Sequence, residues 1–288
     1  MYASEAAVCK SAGLNCALIS YEALVYEQQP AQAVQYINEQ TEPTLGLYRG
    51  WMLRPEQYTQ LFDVLAAKGI TLINTPAAYQ HTHYLPESYD IIVSATPRSV
   101  WLPLANPAEV DDTVLDDIMA RLAPFGDRPV IVKDYVKSQK HYWHQACFIP
   151  AASDRDGVAR VVRRFLALQG DDLNVGLVFR EYVELEPLTT HAQSGMPLNK
   201  EFRVFVLDGE PILVTEYWTE GNYQNLVPSL APLQDLMRSV KSRFFTMDVA
   251  QQQNGDWLVI ELGDAQVAGL PERADPHAFY EAIKARLT

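Results

Sequence analysis

The chain has 288 residues, 48% hydrophobic and 20% charged, which supplies a core for one large domain or two to three small ones. Its 36 acidic against 23 basic residues give a net charge of −13, a poor basis for binding nucleic acid or an anionic membrane, since both need a basic surface. Three scattered cysteines (Cys9, Cys16, Cys147) argue against a disulfide framework and a cysteine-based zinc site. With no signal-peptide pattern and no stretch near the ~18 apolar residues of a membrane span, the expectation is a cytoplasmic protein.

Residues 1–97 read as mixed α/β. A short helix is expected over 31–40 and an apolar run over 44–48, broken by Arg49-Gly50. Tyr58, Leu61, Phe62 and Leu65 recur at helical spacing within 55–68, and Gly69 stops that helix. Strands are expected over 70–73 and 89–93. Residues 98–183 continue with a helix over 109–122, opened by Asn106-Pro107, and a β-branched strand over 129–132 that ends on Lys133. An amphipathic helix over 154–168 and a strand over 175–183 follow. From 184 to 288 strands dominate. A hairpin turns at Asp208-Gly209, a second at Asn254-Gly255, residues 193–199 read as a loop, and a helix over 277–287 closes the chain.

Four places could carry chemistry. A lysine at the end of an apolar strand is costly unless its ammonium meets an anion, and Lys137, Ser138 and Lys140 follow Lys133 in a segment able to close over phosphates. The plainer alternative is a lysine that leaves the sheet for water. In Arg180-Glu181-Tyr182-Val183 an apolar strand turns acidic, and free backbone groups in such a linker suit an adenine edge; a polar strand end is the common alternative. Alternation puts Glu201 and Arg203 on one strand face, paired or lining a cleft.

The fourth place is the most informative. Asp248 and Glu261 each interrupt an apolar run, on strands that an Asn-Gly hairpin sets side by side. Two like charges so placed repel, and a hard cation such as Mg²⁺ bridging phosphates removes the conflict. His81-x-His83 and His141-x-x-His144, with Cys147, have metal spacings but no fourth ligand, and ordinary surface or loop histidines are expected. P-loop, dinucleotide-binding and Gly-x-Ser-x-Gly fingerprints are missing from the sequence.

The ordered set resembles the ATP-grasp superfamily in its divergent bacterial and phage clade. It runs from Arg49-Gly50-Trp51 through Lys133-Asp134-Tyr135-x-Lys137-Ser138 and the Glu-Phe-Arg-Val strand to Glu261-Leu262-x-Asp264-x-Gln266. The resemblance implies an α+β architecture. An N-terminal α/β domain (1–97) would precede a small lobe (98–183) and a large C-terminal lobe (184–288), with ATP gripped between antiparallel sheets. It implies Lys133 on the α- and β-phosphates, with Lys137, Ser138 and Lys140 in the covering loop. Arg180, Glu181, Tyr182 and Val183 would hold adenine, and Glu184, Glu186 or Glu201 the ribose. Asp248 and Glu261 would bind Mg²⁺, with Asp264 as a third ligand because Gly263 stands where many relatives have Asn. Arg203 and Arg243 would face the γ-phosphate or the acyl-phosphate. The implied reaction is ADP-forming ligation of a small-molecule or peptide carboxylate to an amine, by a monomer or homodimer. A phosphotransferase on the same fold and a non-catalytic nucleotide-binding module are the alternatives. Arg49, Trp51, His83 and Tyr84 are the expected substrate contacts.

Overall fold

The structure, a computed structural model, describes residues 2–104 and 110–287. After α1 (Tyr2–Ser11), Ser20 caps α2 (Tyr21–Val25) by accepting from the Ala23 N–H. A single turn, α3 (Pro30–Ala33), replaces the helix expected over 31–40; Val34 and Ile37 reach the core from turns, so burial is achieved without helix. β1 (Thr44–Gly46) pairs in parallel with β2 (Ile70–Leu72) across α4 (Pro55–Ala66), whose first turn is closed by the Gln57 side chain accepting from the Arg54 N–H. Then come α5 (Pro76–His83) and α6 (Leu85–Ile92). The strand expected over 89–93 is therefore helix. Pro86 in the first turn and the buried Leu85, Ser88 and Ile92, spaced three and four apart, settle a short apolar run that is ambiguous on its own.

β3 (Ser99–Pro103) leads to α7 (Asp112–Leu122), capped by Asp111. Asn106, Pro107 and Glu109, expected at the start of that helix, lie outside the described residues. β4 (Val130–Asp134), α8 (Trp143–Ala146), β5 (Phe148–Ile149), α9 (Arg155–Gln169) and β6 (Gly176–Glu181) complete an antiparallel sheet of order β3-β6-β4-β5. One face of this sheet (Val130, Val132, Leu177, Phe179) packs with α7 and α9 in a single core. The other face carries Lys133 directly opposite Val178, and Ile131 opposite Arg180.

β7 (Pro187–Thr190) and β8 (Pro197–Asn199) form a two-stranded flap, so the loop expected over 193–199 ends in strand. β9 (Glu201–Leu207) and β10 (Glu210–Glu216) make the Asp208-Gly209 hairpin, with both turn residues at positive φ. After α10 (Gln234–Ser239) come β11 (Phe244–Gln251), β12 (Trp257–Asp264) and α11 (Pro276–Leu287). The second antiparallel sheet has the order β10-β9-β11-β12, which leaves β12 on an edge. Phe202, Val204, Met247 and Val249 fill one of its faces. On the opposite face Phe205, Leu207 and Phe244 pack against Phe279 of α11, and the strands turn polar only toward Glu201 and Asp248.

Candidate active site

A cleft of about 190 Å³ lies between the two sheets. Its walls come from Ile131 and Lys133 of β4; Ser138, Lys140, Trp143 and Cys147 of the segment that follows; Arg180 and Glu181 at the end of β6, with Tyr182 and Val183 beyond it; Met196, Pro197 and Asn199 of the flap; and Glu201, Ile260 and Glu261 of the second sheet, with Tyr217 and Trp218 just past β10. Strand parity brings the charged groups together. Asp248 lies between Arg203 on β9 and Glu261 on β12, all three in one register row, so their side chains share a face. Arg203 grips Asp248 through Nε and Nη2 at 2.8 and 2.7 Å. From the other sheet, Lys133 Nζ reaches Glu261 Oε1 at 2.5 Å.

Each carboxylate thus has its own cation. Burial pushes the Asp248 carboxyl up, and Arg203 opposes that. Burial also works against ionising Glu261, but Lys133 outweighs it and holds this carboxyl low. With 42% of its side chain exposed, Glu261 is open to the cleft, whereas Asp248 is almost fully enclosed. Among the described residues Glu201 has no such pair: burial, then the nearby Asp248 charge, push it up to about 8. Arg203 also lies against the Tyr217 ring, 4.8 Å from its centroid, and Lys140 lies 4.8 Å from that of Trp218.

Other expected residues are placed differently. Arg243 pairs with Asp208 at the hairpin end of the second sheet, five residues or roughly 16 Å along from Arg203, and takes no part in the cleft. Asp264 is three residues beyond Glu261 and so faces the other way; its carboxylate accepts from Asn74 Nδ2, the Gln266 N–H and Gln266 Nε2. The position that shares the face of Glu261 is Gly263, which has no donor and whose added Cβ would meet Thr246 Oγ1 at 2.9 Å. Two carboxylates, Asp248 and Glu261, therefore meet here, and among the described residues no group of three or more His, Cys, Asp or Glu could hold a metal. Two hard oxygen donors still fit Mg²⁺, which keeps several water or phosphate ligands of its own.

Of the three glutamates considered for ribose, Glu201 alone lines the cleft; Glu184 is exposed and Glu186 pairs with Lys200. Glu181 lines it while paired with Arg128. Lys137 does not line it; its backbone N–H is tied to Asp134. Arg49 is an internal brace instead of a substrate contact, holding Glu5 through Nε and Nη2 and the Ala265 and Ala268 carbonyls through Nη1. His81 and His83 are buried on α5, contrary to the surface expectation, and burial lowers His83 to about 4. His141 and His144 are exposed as expected.

Residues 124–283, more than half of the chain, match an ATP-grasp domain family, the third family of its clade. The chain belongs to this ATP-grasp family. Its fold is accordingly the ATP-grasp fold, α+β with antiparallel sheets. Among solved structures, the D-cycloserine synthetase DcsG is similar at 14% identity and a TM-score of 0.55, over 99% of this chain and 93% of that one. A RimK domain ATP-grasp protein from Sphaerobacter thermophilus DSM 20745 is similar at 15% identity and a TM-score of 0.50, over 79% and 76%. The ATP-grasp ligase PsnB aligns at 15% identity with a TM-score of 0.46, over 81% and 69%. No curated protein matches the sequence. No described helix is long and apolar enough to cross a membrane.

Sequence reasoning missed several cleft residues of this ATP-grasp chain. Tyr217, Trp218 and Ile260 line the cleft without having been singled out from the sequence. The available signal was the Tyr-Trp pair at the end of β10, aromatic residues where a strand gives way to a Gly- and Asn-rich turn.

Proposed function

We propose that this chain is an ATP- and Mg²⁺-dependent ligase that joins a carboxylate to an amine and releases ADP and phosphate. The observation that carries the reading is the meeting of Lys133 from one sheet with Glu261 from the other, where Glu261 lies opposite Asp248. The nucleotide would lie between a small lobe over 98–183 and a larger one over 184–288, behind an N-terminal domain over 1–97. Lys133 would turn from Glu261 to the phosphates, with Ser138 and Lys140 covering them. The Glu181 and Tyr182 N–H groups are spent on the Arg98 and Pro129 carbonyls, which leaves Val183 to meet the adenine edge. Glu201 would take the ribose.

Asp248 and Glu261 would hold Mg²⁺, which when bound offsets phosphate charge during transfer. Arg203, released in part from Asp248, would face the transferred phosphoryl group. The substrate carboxylate attacks the γ-phosphorus and ADP leaves. The amine then attacks the acyl carbon of the acyl-phosphate, loses a proton, and phosphate leaves. The closed segment carrying Lys140 keeps water from that intermediate. An ADP-release screen over amino acids and small carboxylates, with and without hydroxylamine, tests this reading. ADP formation with a trapped hydroxamate is expected. A phosphorylated alcohol with no hydroxamate for any carboxylate would replace ligation by phosphotransfer.

A further inference from the structure

The sheet register skips one residue beside the carboxylate row. Asp248 pairs with Glu261 but Val249 pairs with Val259, so Ile260 is an extra residue bulged out of β12. In a regular strand consecutive carbonyls point to opposite sides. At this bulge both the Val259 and the Ile260 carbonyls accept from one guanidinium, that of Arg180. The same guanidinium donates to Thr96 Oγ1 at 2.5 Å, and Thr96 in turn donates to the Val259 carbonyl at 2.7 Å. Arg180 belongs to β6 of the other sheet, is 5% exposed, and has no carboxylate partner among the described residues. β12 is an edge strand, so without Arg180 the Ile260 carbonyl would have no neighbouring ladder to join and the Val259 carbonyl would keep the Thr96 hydroxyl.

We infer that Arg180 is a positioning residue: it braces the Ile260 bulge from across the cleft and thereby holds Glu261 opposite Asp248, and it is not a nucleotide ligand. The planar fork suits this task, since two carbonyls and a hydroxyl are met by one rigid group. A lysine could satisfy one of them. The consequence for metal binding rests on the reading that Glu261 is a metal ligand; the bracing itself does not.

The test compares Arg180→Met, Arg180→Lys and Thr96→Val with the unaltered chain in two measurements. Hydrogen exchange without nucleotide or metal reads the brace: the β12 amides around Ile260 should exchange at least tenfold faster in Arg180→Met, with α9 unchanged. Mn²⁺ binding to the ADP complex, followed by electron paramagnetic resonance, reads the consequence: affinity should fall roughly tenfold or more in Arg180→Met, by less in Thr96→Val, and be partly restored in Arg180→Lys. ADP affinity at saturating Mn²⁺ should move less than threefold. Unchanged β12 exchange, or a loss of ADP affinity with Mn²⁺ affinity intact, would overturn the inference. If Arg180→Met does not fold, Thr96→Val decides on the same two measurements. Glu261→Gln is the control for the underlying reading: Mn²⁺ affinity unaltered by it sinks the metal assignment, while the exchange result still decides the brace.

Discussion

The second sheet carries two arginine–aspartate pairs with nearly the same geometry and opposite settings. At the cleft end, Arg203 and Asp248 are 14% and 3% exposed; at the hairpin end, Arg243 and Asp208 are 49% and 39% exposed. Both pairs are bidentate. The exposed pair sits in water that screens it and already solvates each partner. The enclosed pair has shed that water, so each partner depends on the other or on an ion that replaces it. Identical chemistry is thus a solvated surface pair at one end and an enclosed, mutually dependent pair at the other.

The comparison can be broken most severely at the cleft end. On the proposed reading, Asp248→Asn and Lys133→Ala should each lower turnover by about a thousandfold or more while the circular dichroism spectrum is kept, since one would remove a holder of the Mg²⁺ that offsets phosphate charge and the other a cation on the phosphates. Wild-type-like ADP release in both variants would remove the distinction between the two ends. Arg203→Met should cost roughly 3–5 kcal/mol in denaturant melts, because Asp248 is left buried without its cation. A cost below about 1 kcal/mol would mean that water reaches Asp248 freely.

A smaller effect should appear with pH. His83 is packed between the Tyr79 and Tyr84 rings, and the Glu261, Lys137 and Lys133 charges act on it, with burial dominant. Its native form protonates only near 4, while the unfolded chain takes up that proton near 6.5, so the native state binds fewer protons between these values. Stability should therefore fall as pH drops from 6.5 to 4, with about 3 kcal/mol linked to this site. His83→Phe keeps the ring stack and should flatten that part of the curve; an unchanged slope would assign the acid sensitivity elsewhere. Least of all, Arg243→Met should change stability by no more than about 1 kcal/mol and leave turnover untouched. A larger loss at the hairpin end would erase the contrast.

Much of this was legible in the chain itself. Period-two alternation in 201–205, the apolar runs that Asp248 and Glu261 interrupt, and the Asp-Gly and Asn-Gly turns place Glu201, Arg203, Asp248 and Glu261 on strands that must pair, because these are local rules of backbone and side-chain direction. Lys133 at the end of β4 follows from the same logic. The helix α6 did not, since a short apolar run has no distinct period until its neighbours choose which residues to bury.

Nearness across sheets lay further out of reach. Arg203 and Arg243 look alike in sequence, and only the length of β9 puts one at the cleft and the other at a turn. Asp264 looks like a ligand until the parity of β12 turns it toward Asn74. The bulge at Ile260 and its brace from Arg180 depend on how the two sheets meet. Sequence by itself determined the long strands of the second sheet and the shared face of Glu201 and Arg203, because those follow from interactions a few residues apart. The tertiary structure alone decided which cation meets which carboxylate, because that is set by register and by packing between residues far apart in the chain.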